Sequence, residues 1–237
     1  MEHQIFSKFI RFIEARLSPG GEFGLHLTAG LALLLISVSI FGELAEDVMG
    51  KEAITVLDMQ VAQWFHAHAF EPMTSFMLGV SLVHTGVGMV VLVAALGWYF
   101  WRVQARYWLL ALLVAVPTGA MLNVALKYHF QRARPMFDEP LVTLMTYSFP
   151  SGHTSAATLF YGLLASYVMI ARPHWHVRLG AAAACALMVL LVALSRVYLG
   201  AHYLSDVLAA MAESVAWLAV CITAISTLRR RREAKTL

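Results

Sequence analysis

Three short clusters carry nearly all the residues of this chain that could do chemistry, and each sits at the end of a long apolar run. His202 and Asp206 are four residues apart, one helical turn, so on a helix they share a face and the carboxylate can hold one imidazole nitrogen. The other nitrogen is then free as a nucleophile or base. Ser195 and Arg196 stand just upstream. In Pro150-Ser151-Gly152-His153, a Ser-Gly pair opening a helix leaves backbone N–H groups pointing outward at the positive end of the helix dipole, which makes an anion site. The third cluster runs from Lys127 through Arg132 and Arg134 to Pro135, and the proline disfavours helical geometry at Arg134, turning the chain into a loop.

Each cluster alone has a plainer account: snorkelling cations at a membrane border, an N-cap serine, a structural His-Asp pair. Together they give three cations (Lys127, Arg134, Arg196), a helix N-terminus (Ser151, Gly152, His153) and an oriented imidazole (His202). That set suits a phosphoryl group. Arginine forks and backbone N–H groups match its oxygens, and their fixed positive charge stabilises transfer without a metal or other cofactor.

The elements that must position these residues are membrane spans. Of 237 residues, 60% are hydrophobic and 13% charged, about half the charge of an average soluble protein. Apolar runs at about 25–43, 74–98, 107–126, 153–171, 179–197 and 203–227 are each long enough to cross a bilayer. The expected fold is all-α and integral to the membrane, with six transmembrane helices in one bundle and no large soluble domain. The first run is too long for a cleaved signal and no A-x-A site follows it.

Twelve of the seventeen lysines and arginines fall on one side of this layout, which predicts that both termini are cytoplasmic and that all three clusters face the exterior or periplasm. Residues 1–24 are expected to form an interfacial amphipathic helix, 25–227 the six-span domain and 228–237 a basic cytoplasmic tail. The first outer loop, 44–72, carries Glu43, Glu46, Asp47, Glu52 and Asp58 around it, then an amphipathic stretch with Leu57, Val61, Trp64 and Phe65. Cys185 and Cys221 lie inside apolar runs and act as small hydrophobes. The net charge of +3 is spent in tails and loops, so membrane lipids, and no nucleic acid, are the expected partners.

The three clusters resemble the signature of the type 2 phosphatidic acid phosphatases, a family that includes glucose-6-phosphatases and vanadium haloperoxidases. K-x6-R-P is matched by Lys127, Arg134 and Pro135, P-S-G-H by Pro150 to His153, and S-R-x5-H-x3-D by Ser195, Arg196, His202 and Asp206. The resemblance implies that His202 attacks phosphorus, oriented by Asp206, and that His153 protonates the leaving group. Lys127, Arg134, Ser151, Gly152 and Arg196 would hold the phosphoryl oxygens, and water would release the phosphate from a phosphohistidine. No metal is implied.

A site at headgroup level points to a lipid phosphate substrate. The short loops look most like bacterial members, and undecaprenyl diphosphate is favoured over phosphatidylglycerol phosphate and phosphatidic acid. The alternatives are transfer of the phosphate to another lipid and, further off, a transporter. Transport charges should be spread through the bilayer depth, whereas these gather at one side. Glu213, an intramembrane carboxylate, is either a functional group or, the favoured reading, a protonated or hydrogen-bonded side chain against polar groups such as Asn123 or Thr118; Arg132 is either a wider cationic mouth or a headgroup contact, and Pro117 with Gly119 kinks or tightens the third span. His84 and His129 have no evident partner in the sequence.

Overall fold

A computed structural model describes residues 25–142 and 144–235. The amphipathic stretch expected at 1–24 lies outside them. Among the described residues there are eight helices and no strand: α1 Leu25–Gly50, α2 Ala53–Ala67, α3 Met73–Val83, α4 Gly86–Arg102, α5 Arg106–Phe130, α6 Gly152–Ala171, α7 Trp175–Tyr198 and α8 Leu204–Lys235.

Five of these are long and apolar enough to cross a membrane: α1, α5, α6, α7 and α8. The run expected to be a single span at 74–98 is instead a bent pair, α3 and α4, which meet at 58° and count as a sixth candidate span only when taken together. The break falls at His84 and Thr85, where the Thr85 side chain caps the new helix by accepting from the Gly88 N–H at 3.4 Å. The helix α8 continues to Lys235, so residues 228–235 of the expected basic tail are helical.

The bundle is organised around α6 and α8. Half of the apolar window of α8 is buried against other helices, compared with 6% for α1, which packs on α8 and otherwise presents its leucines and isoleucines outward. In lipid, apolar surface gains nothing by leaving one hydrocarbon for another, so small residues that admit close packing do the joining. Ala209, Ala210, Ala212 and Ala216 are buried along α8. Gly119 on α5 is a further example: a Cβ there would lie 2.5 Å from Leu159 Cδ1 on α6 and 3.1 Å from Trp217 Cδ1 on α8. The main core, with Phe100, Leu112, Leu159, Leu163 and Leu218, sits under that contact. A second cluster closes the site end, where Phe149 packs with Phe41 and Phe130 at ring separations of 5.8 and 5.1 Å.

Helix order brings the C-terminal ends of α5 and α7 and the N-terminal ends of α6 and α8 to one end of the bundle. The three sequence clusters occupy those four ends.

Candidate active site

Each chain reversal at that end has a local cause. Helix α5 stops because Gln131 adopts a left-handed conformation with φ of 48°, and the loop that follows carries Arg132 and Arg134. That loop is tied back by the Ser148 N–H donating to the Arg132 carbonyl at 2.8 Å. The turn from α7 to α8 needs Gly200, whose φ is +65° and whose absent Cβ would lie 2.7 Å from the Phe137 ring. Within the turn, the N–H groups of Ala201 and His202 both donate to the Arg196 carbonyl, at 3.0 and 3.2 Å. One backbone oxygen therefore fixes where His202 sits relative to Arg196.

His202 lies two residues before α8 and meets Asp206 for a different reason from a shared helical face. Asp206 is in the first turn of α8 and reaches back, accepting the Tyr203 N–H at 2.9 Å as an N-terminal capping residue does. From that position its Oδ2 is 3.3 Å from His202 Nδ1 and also accepts the Ser148 hydroxyl. A carboxylate only accepts, so Nδ1 carries the proton and Nε2 the lone pair. The Nη1 of Arg134 donates to that Nε2 at 3.1 Å. Burial of the imidazole pushes its pKa down to about 3, with Arg134 and Lys127 adding to the effect and Asp206 opposing it. His202 is neutral at ordinary pH.

Arg134 is anchored by Nε donating to the Thr146 carbonyl at 2.6 Å, and by Nη2 donating to the Thr146 hydroxyl at 2.9 Å and the Tyr147 carbonyl at 3.1 Å. Lys127 Nζ donates to the same Tyr147 carbonyl at 3.0 Å. Arg196 is buried and its Nη1 donates to Ser81 Oγ on α3, while its Nε has no hydrogen-bond partner, leaving a donor for an anion. Ser151 takes the extended backbone of an N-cap, and its N–H donates to the Asp206 carbonyl at 3.1 Å. Its hydroxyl accepts from Thr154 at 3.1 Å instead of capping the helix. A Cβ on Gly152 would lie 3.8 Å from Lys127 Cε, which places the start of α6 beside that ammonium.

Lys127, Gly152 and His153 line one end of a cavity of about 770 Å³. Asn123 joins them, and the rest of the wall is largely apolar, running between α4 and α5 past Val93, Gly97, Leu113 and Ala120. His84, unassigned in the sequence, closes the polar end; its ring is 2.8 Å from the Val80 carbonyl through Nδ1 and 3.1 Å from the Tyr161 hydroxyl through Nε2. Glu213 accepts from Asn123 at 2.7 Å, while Thr118 instead accepts from the Trp217 indole at 3.0 Å.

Arg132 occupies neither position expected of it. Its guanidinium turns inward, 2.6 Å from Asp206 Oδ1 and 2.7 Å from Asp58 Oδ2. Burial works against its charge, and the two carboxylates outweigh burial and hold its pKa above the ordinary arginine value. Sequence reasoning missed Asp58, Ser81 and Ser148, which touch the site from segments without a motif. The acidic loop that contains Asp58 was the one available signal. Among the described residues no group of three or more histidines, cysteines and carboxylates is arranged to hold a metal ion.

Residues 108–230 match the PAP2 superfamily. Over 124 residues, 51% of this chain, the sequence is 39% identical to phosphatidylglycerophosphatase B of Bacillus subtilis (strain 168), and it spans 58% of that relative's length. The fold is similar to the crystal structure of a transmembrane PAP2 type phosphatidylglycerolphosphate phosphatase from Bacillus subtilis, with a TM-score of 0.71 and 23% identity, covering 81% of this chain and 94% of that one. It is also similar to the crystal structure of Aquifex aeolicus LpxE, with a TM-score of 0.57 and 19% identity over 70% of this chain and 94% of that one. All three motifs fall within the matched residues, on a transmembrane PAP2 fold, and the chain belongs to the PAP2 superfamily.

Proposed function

We propose that this protein is a membrane lipid phosphatase that hydrolyses a lipid phosphate through a phosphohistidine on His202. The observation that carries the reading is the shape of the cavity at Lys127, Gly152 and His153: polar at one end and apolar along the rest of its wall. A phosphorylated headgroup fits the first part and hydrocarbon the second. A soluble phosphate ester would leave most of that wall uncovered.

In the first step Nε2 of His202 forms a bond to phosphorus as the bond from phosphorus to the lipid oxygen breaks, and His153 gives its proton to that oxygen. Arg134, Arg196, Lys127 and the first N–H groups of α6 take up the charge on the equatorial oxygens. The imidazole becomes cationic on phosphorylation, and Asp206 stabilises it through Nδ1–H. Water, deprotonated by His153, then attacks phosphorus, breaking the P–N bond and releasing inorganic phosphate. These steps use no metal or other cofactor.

The engagement of Arg132 with two carboxylates leaves Lys127, Arg134 and Arg196 for the substrate, enough for one phosphoryl group. That favours a monoester such as phosphatidylglycerol phosphate or phosphatidic acid over undecaprenyl diphosphate. The name of the Bacillus subtilis relative supports the same order. The site lies at the opposite end of the bundle from Arg229 to Arg232, and with that basic end in the cytoplasm it opens to the outer face of the cell membrane.

The test is phosphate release from a panel of lipid phosphates in mixed micelles, compared as kcat/KM, with His202→Ala alongside. The expected result is turnover of at least one lipid monoester and its loss in the variant. Hydrolysis at near wild-type rate by His202→Ala overturns the mechanism. For sidedness, labelling of a cysteine introduced near position 140 by an impermeant reagent only after cell lysis overturns the outward site.

A further inference from the structure

Asp58 is the most deeply placed acid outside the motifs. It lies on α2, between the first span and the bent pair, and is completely buried. Every contact it makes leads to the nucleophile. Its Oδ2 takes the Arg132 Nη2 at 2.7 Å, and the other terminal nitrogen of the same guanidinium, Nη1, takes Asp206 Oδ1 at 2.6 Å. Its Oδ1 accepts the Ser205 N–H at 2.9 Å, and its Oδ2 also accepts the Ser205 hydroxyl, while the Ser205 oxygen accepts from Arg132 Nη1 at 2.7 Å. The Tyr203 ring lies 4.3 Å from the guanidinium carbon and covers it. Asp58 therefore grips both residues that flank Asp206: its cationic partner and its chain neighbour.

The charges give this arrangement a chemical consequence. Paired with Arg132 alone, Asp206 would be neutralised and would do little for a cationic imidazole. Shared between two carboxylates, one guanidinium leaves the group with a net charge of −1, facing Nδ1 of His202. That charge matters when the imidazole becomes positive. Before then, His202 is neutral.

We propose that Asp58, acting through Arg132, is a positioning residue for phosphoryl transfer: it fixes the Asp206 carboxylate in place and restores the negative charge that stabilises the phosphorylated imidazolium. The inference rests on the phosphohistidine reading of His202. Asp58 touches no reacting atom, and its effect is on the chemical step instead of on substrate binding.

The experiment uses the full chain in detergent with dioctanoyl phosphatidic acid as substrate, vanadate as a mimic of the five-coordinate transition state, and inorganic phosphate as a ground-state ligand. Asp58→Asn keeps the size of the side chain and removes its charge. The expected result is a fall in kcat of at least tenfold with KM within twofold, weaker vanadate inhibition by a similar factor, and unchanged inhibition by phosphate. Asp58→Glu, which keeps the charge, is expected to recover part of the loss. The double variant Asp58→Asn/Asp206→Asn is expected to be no slower than Asp206→Asn alone, because both act through one carboxylate.

The proposal is overturned by any of three results with active wild-type protein: kcat of Asp58→Asn within twofold of wild type, a rise in KM with kcat unchanged, or additive losses in the double variant. If Asp58→Asn does not fold, Arg132→Lys, which keeps the charge and breaks the bridge between the two carboxylates, carries the same measurements for the fixing of Asp206: a fall in kcat with KM within twofold is expected, and a wild-type kcat overturns the proposal. If the wild type releases no phosphate from any lipid phosphate, the underlying function has failed; a wild-type rate in Asp58→Asn sinks only the role of Asp58.

Discussion

Arg134 Nη1 donates to His202 Nε2, the nitrogen proposed to attack phosphorus, at 3.1 Å. In the proposed reaction the incoming phosphate takes over that donor, and the arginine passes from the lone pair to a phosphoryl oxygen. Lysine in its place keeps the charge and loses the fork. Arg134→Lys is expected to lower kcat/KM by about 10- to 100-fold, the worth of one charge-assisted hydrogen bond. A wild-type kcat/KM for a lipid phosphate in mixed micelles would refute this role.

The depressed pKa of His202 sets a pH dependence with a definite sign. An unfolded histidine binds a proton near pH 6.5, whereas folded His202 does so only near 3 because it is buried. Between those values the unfolded state holds more protons, so the contribution of His202 to stability is full above the upper value and is lost progressively as pH falls towards the lower. Thermal unfolding in detergent between pH 7 and 4 should decline less steeply for His202→Gln than for wild type. Equal slopes count against a buried neutral imidazole.

For Asp206→Asn the loss should appear in kcat. The amide can still accept through oxygen, yet it cannot stabilise the imidazolium, and a decrease on the order of 10² to 10⁴ is expected by analogy with other acid–base partners. Steady-state kinetics with a lipid monoester decide it; a change confined to KM would mean that Asp206 shapes only binding.

His153 is expected to matter in proportion to the basicity of the leaving group. An alkoxide needs a proton as it departs, so His153→Gln should slow a phosphate monoester by about 10² to 10⁴. From a lipid diphosphate the leaving group is the lipid monophosphate, which departs without one, so that phosphorylation step should slow much less. Measuring the burst of phosphoenzyme formation with both substrates separates that step from hydrolysis, which uses the same histidine as base.

Filling the apolar part of the cavity should discriminate by chain length. Val93 lines that wall away from the polar end, and Val93→Trp is expected to lower kcat/KM for a long-chain phosphatidic acid while sparing a short-chain analogue. Equal effects on both would mean that the hydrocarbon lies elsewhere.

How much of this was legible depends on whether the information is local. Apolar length marks a span by itself, so α1, α5, α6, α7 and α8 were readable, as was the clustering of Lys127, His153 and His202 at span ends. The 58° break at His84 was not, because His84-Thr85-Gly86 is a short interruption of a long apolar run and the Thr85 cap is a weak signal within hydrophobic sequence. The partners of Arg132 were hidden for a different reason. Asp58 is 74 residues away, and no spacing rule links residues that meet only through helix packing. Ser81 reaches Arg196 across a still wider gulf of 115 positions.

The matched region begins at residue 108, upstream of all three motifs. Asp58 and Ser81, which hold Arg132 and Arg196, lie before it. A fragment or chimera cut at that border would carry every signature residue and still lack two of their anchors. The unit that must be inherited or transplanted whole is therefore longer than its signature, and it starts no later than the helix that bears Asp58.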